Sequence, residues 1–220
     1  MKLNRCAAAI AAVSLSASSM GAVVLSEGFD NVGALAGAGW VQVNASTNPA
    51  PGNPYFQGNA GIFPSAAGAP GSYAAANFLS GSGTVSSWLI APTFNLASTL
   101  SVDYMARVAG ESFLDTIQVW LSTNGASSNI ADFTTLLGSY SSNQDQGWVA
   151  QSLQLVGTSG GQGRIAFRYF VADTLINGNY IGIDSLNVSV AVAVAVPEPA
   201  TGALAGLALA GLALGRRQRA

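Results

Sequence analysis

Few residues in this 220-residue chain can do chemistry, and most are acidic. There is no histidine, and the single cysteine, Cys6, lies near the start. Between Val23 and Val196 the acids are Glu27, Asp30, Asp103, Glu111, Asp115, Asp132, Asp145, Asp173 and Asp184. The bases there are Arg107, Arg164 and Arg168, with no lysine, which gives a net charge of −6. This inventory rules out a Ser-His-Asp triad and a His-ligated zinc, which both need imidazole. It also rules out a thiol nucleophile in that body and a lysine Schiff base. A lysine-free acidic surface is repelled by phosphate backbones, so nucleic acid is excluded as a partner. The polar surface is mostly Ser, Thr, Asn, Gln and Gly, which suits sugars and cations.

Carboxylate chemistry survives the inventory. Glycoside hydrolysis needs two carboxylates about 5 to 9.5 Å apart across the scissile bond. Glu111 and Asp115 are the nearest pair in sequence, but they precede a strand expected at 116–122. They are expected to be solvated loop carboxylates, and no catalytic residue is assigned. Gly-rich pieces such as GSGTVSS and GTSGGQGR lack the lysine and the strand-to-helix setting of a phosphate loop, so they read as turns. Among the aromatics, Trp120 falls on the polar parity of its strand. An exposed indole beside amide side chains stacks on a sugar ring, which makes Trp120 the candidate carbohydrate contact. The competing reading is an indole packed over a sheet.

The elements that must position these residues are strands. No long segment has a 3.6-residue apolar period, and short alternating runs are separated by Gly, Ser, Asn and Pro clusters. Leu100, Val102, Tyr104, Ala106 and Val108 share one face, as do Ile117, Val119 and Leu121. Ile165, Phe167, Tyr169 and Val171 share another, with Arg164 and Arg168 opposite. WLIAPTFNL and residues 148–156 supply further strands. In YIGIDSLNVSVAV, Ile181 and Ile183 have one parity, while Leu186, Val188 and Val190 have the other. A bulge at Asp184-Ser185 restores a continuous apolar face and re-aims Asp184. Residues 43–72 read as a long Gly/Pro/Asn-rich loop with one short strand near Phe56; loops of this length are often functional.

Both ends read as targeting segments. Lys2 and Arg5 precede an apolar stretch from Cys6 to Leu15 and small residues, with cleavage expected after Gly21 or Ala22, the layout of a secretory signal peptide. The end, VPEPATGALAGLALAGLALGRRQRA, has a Pro-Glu-Pro triplet, a 16-residue apolar run and a basic tail. As a helix that run spans about 24 Å, short of a comfortable crossing. Arg216, Arg217 and Arg219 would stay cytoplasmic by the positive-inside rule. The segment therefore reads as a transient anchor.

The blocks FDNVGALAGAGW, YFQGNAGIF, GSYAAANF, SSWLIAPTFNL, IQVWLSTNG, DFTTLLGSY, GRIAFRYFV and NYIGIDSLNVSV, in that order, resemble the choice-of-anchor J domain over residues 25–190. That group is similar to the cleaved-adhesin and MAM-like jelly rolls. The C-terminal segment resembles the PEP-CTERM sorting signal, and the resemblance implies processing at Pro197, Glu198 and Pro199 by an exosortase-like enzyme of Gram-negative bacteria that make exopolysaccharide. In jelly rolls of this kind the first and last strands pair, which would bring Glu27 and Asp30 beside Asp184. The resemblance thus implies a calcium site there, with three separately solvated carboxylates as the competing reading.

The expected fold is an all-β, antiparallel two-sheet jelly-roll sandwich. The expected organisation is a signal peptide at 1–22, a sandwich at 23–191 and a sorting segment with a transmembrane helix at 192–220. The expected role is that of an exported, non-enzymatic surface or extracellular-matrix protein associated with exopolysaccharide. No cofactor is required, and calcium is the candidate metal. The alternatives are a lectin-like or calcium-stabilised adhesion module and, behind these, a carboxylate-dependent glycosidase.

Overall fold

The computed structural model describes residues 21–191, apart from Glu111 and Ser159. The strands, in chain order, are β1 (Val23–Glu27), β2 (Val41–Asn44), β3 (Asn48–Pro49), β4 (Phe56–Gln57), β5 (Ala74–Asn77), β6 (Gly81–Ser82) and β7 (Val85–Ile90). They continue with β8 (Phe94–Asn95), β9 (Leu100–Val108), β10 (Asp115–Ser122), β11 (Thr135–Ser142), β12 (Val149–Leu155), β13 (Gln162–Val171) and β14 (Tyr180–Val190). Sheet A runs β12-β9-β14-β5-β4, with β1 also on β14. Sheet B runs β11-β10-β13-β7-β2, with β8 on β13, and β3 pairs with β6. Neighbouring strands are antiparallel throughout.

The alternation seen in the sequence sets the inner faces. Leu100, Val102, Tyr104, Ala106 and Val108 of sheet A are buried against Ile117, Val119, Ile165, Phe167 and Tyr169 of sheet B. Tyr104 meets Phe167 edge-on at 5.0 Å between ring centroids, a favoured aromatic geometry.

Strand β14 organises sheet A. One edge follows β9; on the other, Tyr180–Ile183 pair with β5 and Leu186–Ser189 pair with β1. The register along β9 shifts between Asp184 and Asn187, and Ser185 has φ +52°. This is the bulge expected from the parity switch. It puts Ile181, Ile183, Leu186 and Val188 in one core and falls where the partner strand changes from β5 to β1. Val23 pairs with Ser189, and the Val190 amide donates to the Ala22 carbonyl at 2.9 Å. The domain therefore starts and ends at one end of the sandwich.

The outer faces are partly covered. The segment between β4 and β5 lays Phe63 over sheet A, stacked on Tyr73 at 5.1 Å and edge-on to Trp148 and Tyr180. The hydroxyls of Tyr73 and Tyr180 lie 3.1 Å apart, and both accept the Asn59 amide. The long loop is thus a packed layer, with β3 in addition to the short strand expected near Phe56. On sheet B, Phe133 from the β10–β11 connection covers Trp88, Ile90 and Ala166.

Candidate functional site

Glu27, Asp30 and Asp184 each meet a different stretch of backbone. β1 does pair with β14, and Glu27 lies opposite Leu186. Asp30, however, is not on β1. The strand ends at Glu27, whose Oε1 accepts the Phe29 amide at 2.8 Å, and Phe29 turns the chain with φ +53°. Asp30 consequently sits in the turn, and its Oδ1 lies 3.2 Å from where a Cβ on Gly68 would be. Asp184 reaches the same 65–72 loop from the bulge. Its Oδ2 accepts the amides of Ala66 and Ala67 at 2.8 and 3.1 Å, and its Oδ1 accepts the Ser185 amide. Burial pushes the Asp184 carboxyl above its ordinary range, and these N–H donors pull the other way, as hydrogen bonds to the ionised form do. Asp184 therefore pins the loop. Among the described residues no three acidic side chains gather in a way that could hold a metal ion.

Asp115 corrects the expectation of a solvated loop carboxylate. It is the first residue of β10 and is 0% exposed. Its parity is that of Ile117, so the side chain points between the sheets. Its Oδ1 accepts the Tyr169 hydroxyl at 2.5 Å and the Asn179 amide at 2.9 Å, and its Oδ2 is buried without a partner. Desolvation raises its pKa, with the Tyr169 bond opposing. A carboxylate sealed in this way has no access to a glycosidic bond. Its proposed companion, Glu111, lies outside the described residues.

A polar groove of about 570 Å³ is lined by Ile62, Ser112, Asn143, Gln144 and Asp145, among others. Among the described residues Asp145 is its one acidic lining residue, and Arg107 holds it through paired contacts at 3.0 and 2.8 Å. That pairing keeps the Asp145 carboxyl below its ordinary range. The described lining therefore offers hydrogen-bonding groups and one carboxylate already paired with an arginine.

Trp120 is half-buried on the outer face of sheet B. Its ring centroid lies 6.3 Å from that of Trp88, and its Nε1 donates to Gln118 Oε1 at 3.1 Å. The indole is therefore neither fully packed nor fully open. The same Gln118 oxygen accepts Arg168 Nη1 at 3.2 Å. Sequence reading placed Arg168 on the outward parity but did not connect it with Trp120. The available signal was their shared polar parity on strands that prove to be neighbours.

Pro197, Glu198, Pro199, Arg216, Arg217, Arg219 and residues 1–20 of the expected signal peptide lie outside the described residues. Among the described residues no helix is long and apolar enough to cross a membrane.

Residues 195–219 match the PEP-CTERM protein-sorting motif. The motif marks the chain as an exported protein that is sorted to the cell surface. No curated protein sequence matches the chain. The fold resembles the K1 cleaved adhesin domain of Lys-gingipain from Porphyromonas gingivalis, with 20% identity, a TM-score of 0.58 and coverage of 77% of this chain and 99% of that one. The K2 cleaved adhesin domain of Lys-gingipain is similar at 18% identity and a TM-score of 0.58, covering 76% and 98% of the two chains. The K3 domain from Porphyromonas gingivalis follows at 16% and 0.53, covering 76% and 99%. The likeness is one of fold alone.

Proposed function

We propose that the chain is an exported, non-enzymatic surface or matrix module whose sorting segment is removed on the outer side of the inner membrane. In this reading the signal peptide at 1–22 directs export. The segment at 192–220 holds the protein as a short transmembrane helix, with Arg216, Arg217 and Arg219 inside. An exosortase-like enzyme then acts at Pro197-Glu198-Pro199, and the jelly-roll body of choice-of-anchor J type takes its place in exopolysaccharide. The match of residues 195–219 to a sorting motif carries the reading. The pairing of Val23 with Ser189 supports it, because the body then hangs from one end. The burial of Asp115 and the capture of Asp145 by Arg107 support a role without catalysis.

Cell fractionation tests the proposal. Changing Pro197, Glu198 and Pro199 together to alanine should trap the protein in the inner-membrane fraction, while the natural chain reaches the surface. Identical partitioning of the two would overturn the reading.

A second reading keeps calcium as a structural ion at the β1–β14 corner. Its support is that Asp30 lies beside the loop that Asp184 holds in place, and follows closely on the carboxylate of Glu27 at the end of β1. Hard cations take carboxylates together with backbone carbonyls. Glu27 and Asp30 would be the side-chain ligands, and Asp184 the residue that positions the loop. Calcium-dependent melting tests this reading.

A further inference from the structure

Charge is segregated between the two sheets. The strands of sheet B contain one acid, Asp115, which faces inward, whereas β1, β9 and β14 of sheet A carry Glu27, Asp103 and Asp184. Among the described residues the one ion pair is Arg107 with Asp145, near the outer face of sheet A. Arg164 and Arg168, both on the outward parity of β13, have no carboxylate partner among the described residues. Asp132, on the connection that covers sheet B, accepts the Ser127 hydroxyl instead.

Arg168 is held rigidly by neutral groups. Its Nε donates to Ser86 Oγ at 2.9 Å and its Nη1 to Gln118 Oε1 at 3.2 Å. The guanidinium lies 4.5 Å from the Phe170 ring centroid and 5.3 Å from that of Trp88. Its Nη2 has no protein partner among the described residues, so the open edge of the fork faces outward. Arginine is suited to such a site: its planar fork stacks on aromatic rings and binds carboxylates through two parallel bonds. Gln118 links this cation to the half-buried indole of Trp120. A pre-aligned cation beside an aromatic face matches a sugar ring that bears a carboxylate, because the ring's C–H face stacks while the acid pairs.

We infer that the outer face of sheet B is a binding site for uronic-acid polysaccharide, with Arg168 taking the carboxylate and Trp120 the sugar face. Arg164, four residues away on the same strand, has its Nε and Nη1 buried and takes no part in this contact. The inference rests on the matrix reading above and names the polymer class. Processing of the tail does not depend on it, so the two can fail separately.

The test is affinity electrophoresis and calorimetric titration of the mature exported protein. The probes are alginate, polygalacturonate, its methyl-esterified form, neutral dextran and dextran sulfate. Binding to the two uronates and not to the esterified or neutral polymers is expected. Arg168→Gln and Trp120→Ala should each weaken uronate binding about tenfold or more, while Arg107→Gln binds like the parent. Arg168→Lys should also lose affinity, since it keeps the charge and loses the fork. Circular dichroism should show every variant folded, and a variant that unfolds is replaced by Gln118→Ala, which should also weaken binding. Absence of uronate binding, equal binding of the esterified polymer or of dextran sulfate, or unchanged affinity in folded Arg168→Gln would overturn the inference.

Discussion

The carboxylate of Asp115 accepts the phenolic hydroxyl of Tyr169 at 2.5 Å between the two sheets. The two residues are on adjacent strands of sheet B, β10 and β13. Because Asp115 also takes the Asn179 amide, one buried acid ties together β10, β13 and the approach to β14. Tyr169→Phe leaves this acid short of a donor. It should cost about 1–3 kcal/mol, the usual penalty for orphaning a buried polar group, as measured by urea unfolding.

The same acid makes stability depend on pH. Burial raises the Asp115 pKa in the folded protein, whereas an unfolded aspartate titrates near about 3.9. The folded state thus holds the proton more tightly. The stabilisation is complete below the unfolded value and is lost as pH rises through the folded one. Asp184 is shifted in the same direction, so both contribute to the slope. Asp115→Asn should flatten urea midpoints measured from pH 3 upward, without abolishing the slope. Parallel curves for the variant and the parent would show that Asp115 does not titrate in this way.

Gly182 sits beneath the aromatic layer of sheet A. A Cβ there would lie 2.7 Å from the Trp148 ring, 2.9 Å from Phe63 and 3.0 Å from Tyr73. Overpacking of this kind costs about 1–3 kcal/mol. Gly182→Ala should lower the urea midpoint and shift the tryptophan emission as Trp148 is displaced. An unchanged spectrum and midpoint would mean that the layer yields freely.

Calcium, if it occupies the β1–β14 corner, stabilises the folded state by linkage. At 100 times its dissociation constant the gain is about 2.7 kcal/mol. Calorimetric melting should show a higher Tm with calcium than with chelator, and Glu27→Gln with Asp30→Asn should erase the difference. Equal melting temperatures in the parent would remove the calcium reading.

The sheets were legible because their signal is local. Parity alone put Leu100, Val102 and Tyr104 inside, and the parity switch after Ile183 located the bulge that aims Asp184. What escaped depends on distant partners. Asp115 looked solvated because Tyr169 and Asn179, which bury it, are 54 and 64 residues away. Asp30 falls off the first strand because the chain turns at Phe29, whose amide bonds the Glu27 side chain. Trp120 was legible as outward-facing, but its neighbour Trp88 and the covering Phe133 come from other segments. The site around Arg168 is likewise assembled across β7, β10 and β13, so no single stretch displays it.

The central claim is that the tail is a removable address on an exported body. Mass spectrometry of the mature protein from its native host tests this most directly, by reading the C-terminal peptide. The account expects a chain that ends near Pro197-Glu198-Pro199, lacks Arg216, Arg217 and Arg219, and begins near Ala22. A mature protein that still carries Arg216 to Arg219 would contradict it.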